Sequence, residues 1–134
     1  MKNKTIYSLR AVLMILVLVV GLLSLSLGLG AYIRDRAGSL SRDVEGISIL
    51  LETNELGQAG NQAEEVTEKW EKTRNTFHMM LDHNELDKID NAIQRLQLCI
   101  KTGQIARAYE EAGLIRSQME QLMRKDSFRL ANIL

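Results

Sequence analysis

The densest concentration of potential chemistry is "HMMLDHNELDKID", His78 to Asp90, where two histidines and four carboxylates fall within thirteen residues. On a helix His83, Asp87 and Asp90 share a face at i, i+4 and i+7, a spacing that could turn an imidazole and two carboxylates towards one divalent cation. Zinc chemistry normally asks for three protein ligands rich in histidine, and no HExxH is present. Helix ends explain the cluster better. Asp82 and Glu85 read as the N-cap and N3 residues of a capping box. Glu85, Asp87 and Asp90 then bring negative charge to the positive end of the helix macrodipole, while His78 sits on the last turn of the preceding helix, where a cation is favoured. The stretch therefore reads as the junction between two helices, with a metal at His83, Asp87 and Asp90 as the minority reading.

Other catalytic patterns are missing from the sequence. "GQAG" lacks the Lys-Ser/Thr that completes a phosphate loop, and there is no G-x-S-x-G elbow or Cys–His–Asn arrangement. The single cysteine, Cys99, lies in an apolar helical pattern and reads as a small core residue. Trp70 and Phe77, seven apart, fit one core-facing helix stripe better than a ligand cleft. These observations imply no enzyme and no cofactor.

What must position these residues is helical. The chain has no proline and few aromatics, a composition that favours helices and offers little to punctuate a sheet. Net charge is zero, but Lys2, Lys4 and Arg10 precede an apolar run, leaving 14 basic residues against all 17 acidic ones, a net of −3. A domain of that sign, without a basic patch interleaved with aromatics, has no electrostatic reason to bind nucleic acid.

From Ala11 to Ile33 the chain carries no charge over 23 residues. As a helix this spans about 34 Å, enough to cross a hydrocarbon core. Tyr7 and Tyr32 bracket it, and the positive charge before it places residues 1–10 in the cytoplasm and 34–134 outside, at the cell membrane. Cleavage before Ala31 is the competing reading, but the run exceeds a signal-peptide core and continues to the cut site. An uncleaved single-pass anchor is therefore expected. Gly21, Ser24, Gly28 and Ala31 form one small-residue face, suited to a second transmembrane helix, either a copy or a partner protein.

Beyond the anchor the apolar residues keep 3–4 spacing. Helices are expected over about 34–55, 61–81, 84–102 and 104–125, with a turn at Gly57 and Gly60 and a C-terminal cap at Gly103. Trp70, Phe77, Ile93, Leu96, Ile115 and Met119 are the expected core. Shifting the chain by 46 residues aligns Leu40 with Leu86, Ile47 with Ile93 and Gly57-Gln58 with Gly103-Gln104. Two helix–turn–helix units would account for this. The fold expected is all-α: a transmembrane helix followed by a small antiparallel bundle of two αα-hairpins.

Trp70, Phe77, "DHNELDKID", "IARAYEEAGLI" and the terminal Asn132-Ile133-Leu134 together resemble a family of small single-pass membrane proteins of Gram-positive bacteria, catalogued as a domain of unknown function (DUF4363-like). Phe77 stands where that family's pattern often has a second Trp. The resemblance implies an extracytoplasmic helical domain on an N-terminal anchor and supplies no activity. The reading expected is an extracytoplasmic interaction module, an accessory or regulatory subunit of a membrane complex. A ligand sensor opening between the Trp70 and Ile115 stripes comes next, and a metal-dependent enzyme last.

Overall fold

Continuous 3–4 spacing without a proline gives four helices. In a computed structural model, which describes the backbone of residues 2–131 and the side chains of residues 8–125, these are α1 (Lys2–Glu52), α2 (Leu56–Phe77), α3 (His83–Lys101) and α4 (Ile105–Ala131). The terminal Asn132-Ile133-Leu134 and the Tyr7 side chain lie outside what is described. The chain divides into two compact units, Met1–Tyr32 and Ile33–Leu134.

The first unit is helical from Lys2. Its apolar side chains are bare: Val12, Met14, Val17 and Leu25 are each more than 60 % exposed. The second unit is all-α and buries its apolar stripes. Ile33, Ala37, Leu40, Val44, Ile47 and Leu51 of α1 are buried, as are Ala59, Ala63, Val66, Trp70, Thr73 and Phe77 of α2. From α3 come Leu86, Ile89, Ile93, Leu96 and Ile100, and from α4 Ala108, Ala112, Ile115, Met119 and Leu122. Steps of three and four alternate on every helix, the seam of a bundle whose side chains interdigitate.

Ion pairs link each helix to the next around this unit. Lys69 of α2 meets Asp43 of α1 at 2.7 Å, Arg74 of α2 meets Asp90 of α3 at 2.7 Å, and Arg95 of α3 meets Glu111 of α4 at 2.8 Å. Arg116 of α4 approaches Glu45 of α1 at 3.8 Å, completing an antiparallel four-helix ring. The α1–α2 and α3–α4 turns share one end. The α2–α3 turn lies at the other end, with Ile33.

α1 runs from Lys2 to Glu52, because "IRDRAGSL" contains only one glycine and no proline to stop it. Two expectations need correction. Gly57 and Gly60 do not form the turn. They lie inside α2, and Asn54, at φ +60°, turns the chain instead. The Glu55 N–H donates to the Leu50 carbonyl at 2.8 Å, and the Asn54 N–H donates to that of Leu51 at 3.1 Å. Together they make a Schellman motif with asparagine as the left-handed residue.

Gly103, at φ +71°, makes the same motif at the end of α3: Gln104 N–H donates to Cys99 O and Gly103 N–H to Ile100 O. Asn54 and Gly103 are thus equivalent, and they stand 49 residues apart. The repeat offset is therefore 49, not 46. At 49, buried residues fall on buried residues: Ala37 on Leu86, Leu40 on Ile89, Val44 on Ile93, Ala63 on Ala112, Val66 on Ile115 and Trp70 on Met119. The error of three is nearly one helical turn, which preserves part of the apolar phase while misaligning the caps.

Candidate functional site

Asp82 caps α3 in extended conformation, and its Oδ1 accepts the Asn84 N–H at 3.2 Å. The reciprocal half of a capping box is replaced by a tertiary contact, since the Glu85 carboxylate meets the Lys125 ammonium of α4. His78 and His83 face each other across the α2–α3 turn, ring centroids 4.0 Å apart and planes at 61°. Asp87 and Asp90 turn instead to α2, where Arg74 reaches them at 3.4 and 2.7 Å. His83, Asp87 and Asp90 are thus divided between two sets of partners. Among the described residues, no group of three or more His, Cys, Asp or Glu side chains is arranged to hold a metal ion.

Asp90 has a further role. Its Oδ1 accepts the indole N–H of Trp70 at 2.5 Å while Oδ2 accepts Arg74 Nε at 2.7 Å. Trp70 is only 2 % exposed, so its N–H must find a partner inside the protein. The carboxylate supplies one and is itself neutralised by the guanidinium. Trp70 also packs edge-to-face on Phe77, centroids 6.1 Å apart. Sequence reasoning missed Arg74, although its place one turn beyond Trp70 puts both on the side that faces Asp90.

The expected core residues Trp70, Phe77, Ile93, Leu96, Ile115 and Met119 are all buried. The free Cys99 is buried as well. Two hollows open among the described residues. One of about 290 Å³ runs along α3 and α4 near Lys88, Leu114 and Gln118. A wider groove of about 920 Å³ follows the start of α2 and the end of α3, past Gly57, Gly60, Leu98 and Lys101. On the α4–α1 side the Glu52 carboxylate acts on the Tyr109 phenol, through hydrogen bonding and charge. Both, with partial desolvation, raise the phenol pKa, against an opposing pull from Arg116.

In the first unit Gly21, Ser24, Gly28 and Ala31 are all exposed. A methyl group placed on Gly21 or Gly28 would meet nothing within 4 Å. The 18-residue apolar window of α1 is wholly unburied, and the helix is long and apolar enough to cross a membrane.

A bare apolar helix followed by a closed antiparallel bundle of two repeated hairpins defines the class: an all-α helical-bundle protein with one helix of membrane-spanning length. Residues 29–133 match the model of the domain of unknown function DUF4363, and the chain belongs to that family. No curated protein and no solved structure matches the chain.

Proposed function

We propose that this chain is a membrane-anchored, extracytoplasmic interaction module, serving as an accessory or regulatory subunit of a membrane complex. One observation carries the reading: the apolar side chains from Leu9 to Leu29 stay between 38 and 69 % exposed, whereas the apolar stripes of the second unit are buried. A continuous apolar surface of that size is unstable in water and is relieved by a bilayer. The positive charges of Lys2, Lys4 and Arg10 favour a cytoplasmic N-terminus. With its core closed, the bundle offers partners its outer surface, and the face of Gly21, Ser24, Gly28 and Ala31 suits close approach of a second membrane helix.

Topology is tested by introducing a cysteine at exposed Glu55 in a Cys99→Ala background and applying a membrane-impermeant thiol reagent. Labelling in intact cells is expected, and labelling only after lysis refutes the orientation. For the membrane face, Gly28→Ile should weaken in-membrane association by about 1–2 kcal/mol, whereas Leu27→Ile should change little. Equal behaviour of the two would remove the packing face from the proposal.

A further inference from the structure

Two glycines stand inside α2 where the packing of the bundle does not ask for them. A glycine in a helix interior costs about 1 kcal/mol against alanine. Gly46 has a reason within its own chain, because Gln62 Nε2 lies 2.5 Å from the place of its missing Cβ. Gly57 has nothing within 4 Å of that place, and Gly60 only Ile100 Cγ2, at an ordinary contact distance of 3.8 Å. Both line the groove of about 920 Å³ between the start of α2 and the end of α3. Omitting two side chains there keeps a notch open on the outside of the bundle, and only a group arriving from outside gains from it.

The same groove carries a projection and two charges that fit the notch. Leu98 is 59 % exposed, which on its own means little. Glu64 and Lys101 are exposed and line the groove beside it. Among the described residues neither makes an ion pair within its own chain. A surface that holds both a knob and a hole, and both a carboxylate and an ammonium, is complementary to a copy of itself, which is what a two-fold contact requires. The levels agree. Gly60 stands beside Ile100, as their contact shows. Towards the α2–α3 turn, Leu98 lies about 3 Å and Glu64 about 6 Å from that level, and Lys101 about 1.5 Å the other way. A two-fold axis along the bundle lays α2 of one copy on α3 of the other, so that Leu98 falls between the levels of the partner's Gly60 and the partner's Glu64. Side chains tilt towards the N-terminus of their own helix, which brings Lys101 and the partner's Glu64 towards each other. On the α4–α1 side the residues equivalent to Gly60, Glu64 and Lys101 are Tyr109, Gly113 and Glu52, and these positions offer neither notch nor cation. We infer that the α2–α3 groove is a homodimer contact, in which Leu98 of each copy enters the notch at Gly57 and Gly60 of the other and Lys101 pairs with the partner's Glu64. The inference concerns only the second unit and stands or falls apart from the anchored-subunit reading.

The test follows self-association of the full chain in detergent micelles by sedimentation, with Gly28→Ile in every chain so that the small-residue face of the apolar helix does not enter the readout. This parent should form a dimer that dissociates on dilution. Lys101→Glu and Glu64→Lys each set like charges together at both symmetry-related pairs and should weaken the dimer about tenfold. Mixed, the two variants should form a heterodimer about as tight as the parent dimer, read by pull-down through two different tags, because every pair between the chains is again of opposite sign. Pairing of Glu64 with Lys101 inside one chain would give no such recovery on mixing. Gly60→Gln has room in the monomer, should keep the helical circular dichroism of the parent, and should abolish the dimer by filling the notch. Four results would each overturn the contact: a monomeric parent at micromolar concentration, charge variants that associate as the parent does, a mixture that does not recover, or undiminished association of folded Gly60→Gln.

Discussion

Replacing Asp90 with alanine removes the acceptor of a buried indole donor. In the native protein that carboxylate takes the Trp70 N–H at 2.5 Å and Arg74 Nε at 2.7 Å. Two costs follow, of different size. The Trp70 N–H, on a residue 2 % exposed, loses its partner without reaching water, a penalty of about 1–3 kcal/mol. The ion pair contributes less, because the Arg74 and Asp90 side chains retain 31 % and 24 % of their exposure; a partly solvated pair of this kind is worth about 0–1 kcal/mol. Asp90→Ala should therefore destabilise the bundle by about 1–4 kcal/mol, lowering its melting midpoint on the order of 5–20 °C for a unit of this size. Asp90→Asn keeps an acceptor of the same shape and should cost about 1 kcal/mol. Thermal unfolding followed by far-UV circular dichroism, with the emission of the single tryptophan as a second probe of the core, reads each variant. In a double-mutant cycle, Trp70→Phe should reduce the cost of Asp90→Ala to the Arg74 contribution, giving a coupling of about 1 kcal/mol or more. A cost for Asp90→Ala below about 0.5 kcal/mol, with no coupling to Trp70→Phe, would refute the argument that the carboxylate is there to satisfy the indole.

Smaller perturbations test the ends and surfaces of the helices. Asp82→Ala should cost about 0.5–2 kcal/mol in chemical denaturation, as a lost cap, and leave divalent-metal content unchanged; stoichiometric metal that disappears with His83→Ala would instead restore the metal reading. Gly113→Ala, at an exposed helical position with nothing within 4 Å of the new methyl, should stabilise by about 1 kcal/mol. Gly103→Ala, at φ +71°, should destabilise by about 1 kcal/mol because the left-handed conformation disfavours a Cβ. The raised phenol pKa of Tyr109 stabilises the fold fully below the ordinary phenol range near 10, and that contribution is lost as pH rises through the raised value. Tyr109 ring resonances should show this late titration, and Glu52→Gln should move it back towards the ordinary range.

The helices and their buried faces were legible because both depend on apolar period. Leu86, Ile89, Ile93 and Leu96 announce their shared side through spacing alone, whatever packs against them. Helix ends were legible only where a residue admits one interpretation. Gly103 did, since a glycine after an apolar stripe is the usual left-handed terminator. Asn54 did not, because asparagine occurs in many settings, and the two glycines just beyond it drew the turn several residues too far along the chain. The partners of the charged cluster were not legible at all. Asp90 looks like a helix-dipole residue or a metal ligand when only its neighbours in sequence are considered. Trp70 and Arg74, which claim it, lie twenty and sixteen residues away, and only the register of α2 against α3 brings them together.

That register also explains why the two halves of the bundle diverge where they do. Apart from Thr73, the counterpart of Leu122, whose hydroxyl donates to the Lys69 carbonyl of its own helix, the positions that pack inward remain apolar across the 49-residue offset, because a bundle seam tolerates exchange among residues of similar volume but resists an unsatisfied buried polar group. Surface pairs are free to change chemistry together. Gln62 lies against Gly46, where a methyl group would come within 2.5 Å of its Nε2, and donates to the Asp43 carbonyl at 3.0 Å. Its counterpart Glu111 faces Arg95, the counterpart of Gly46, in a 2.8 Å ion pair. A side-chain-to-backbone bond in one hairpin thus gives way to an ion pair in the other, made by the equivalent residues Gln62 and Glu111 to positions about one turn apart on the equivalent helices. Tyr109 with Glu52, and Gly60 with Lys101, make a second such exchange, except that here one half has given up its side chain rather than replaced it. At the first pair both halves keep their contact; at the second the α2–α3 half keeps an open groove. The repeated architecture therefore holds the core constant and concentrates its asymmetry at the groove end of the bundle, among residues that the fold itself does not require.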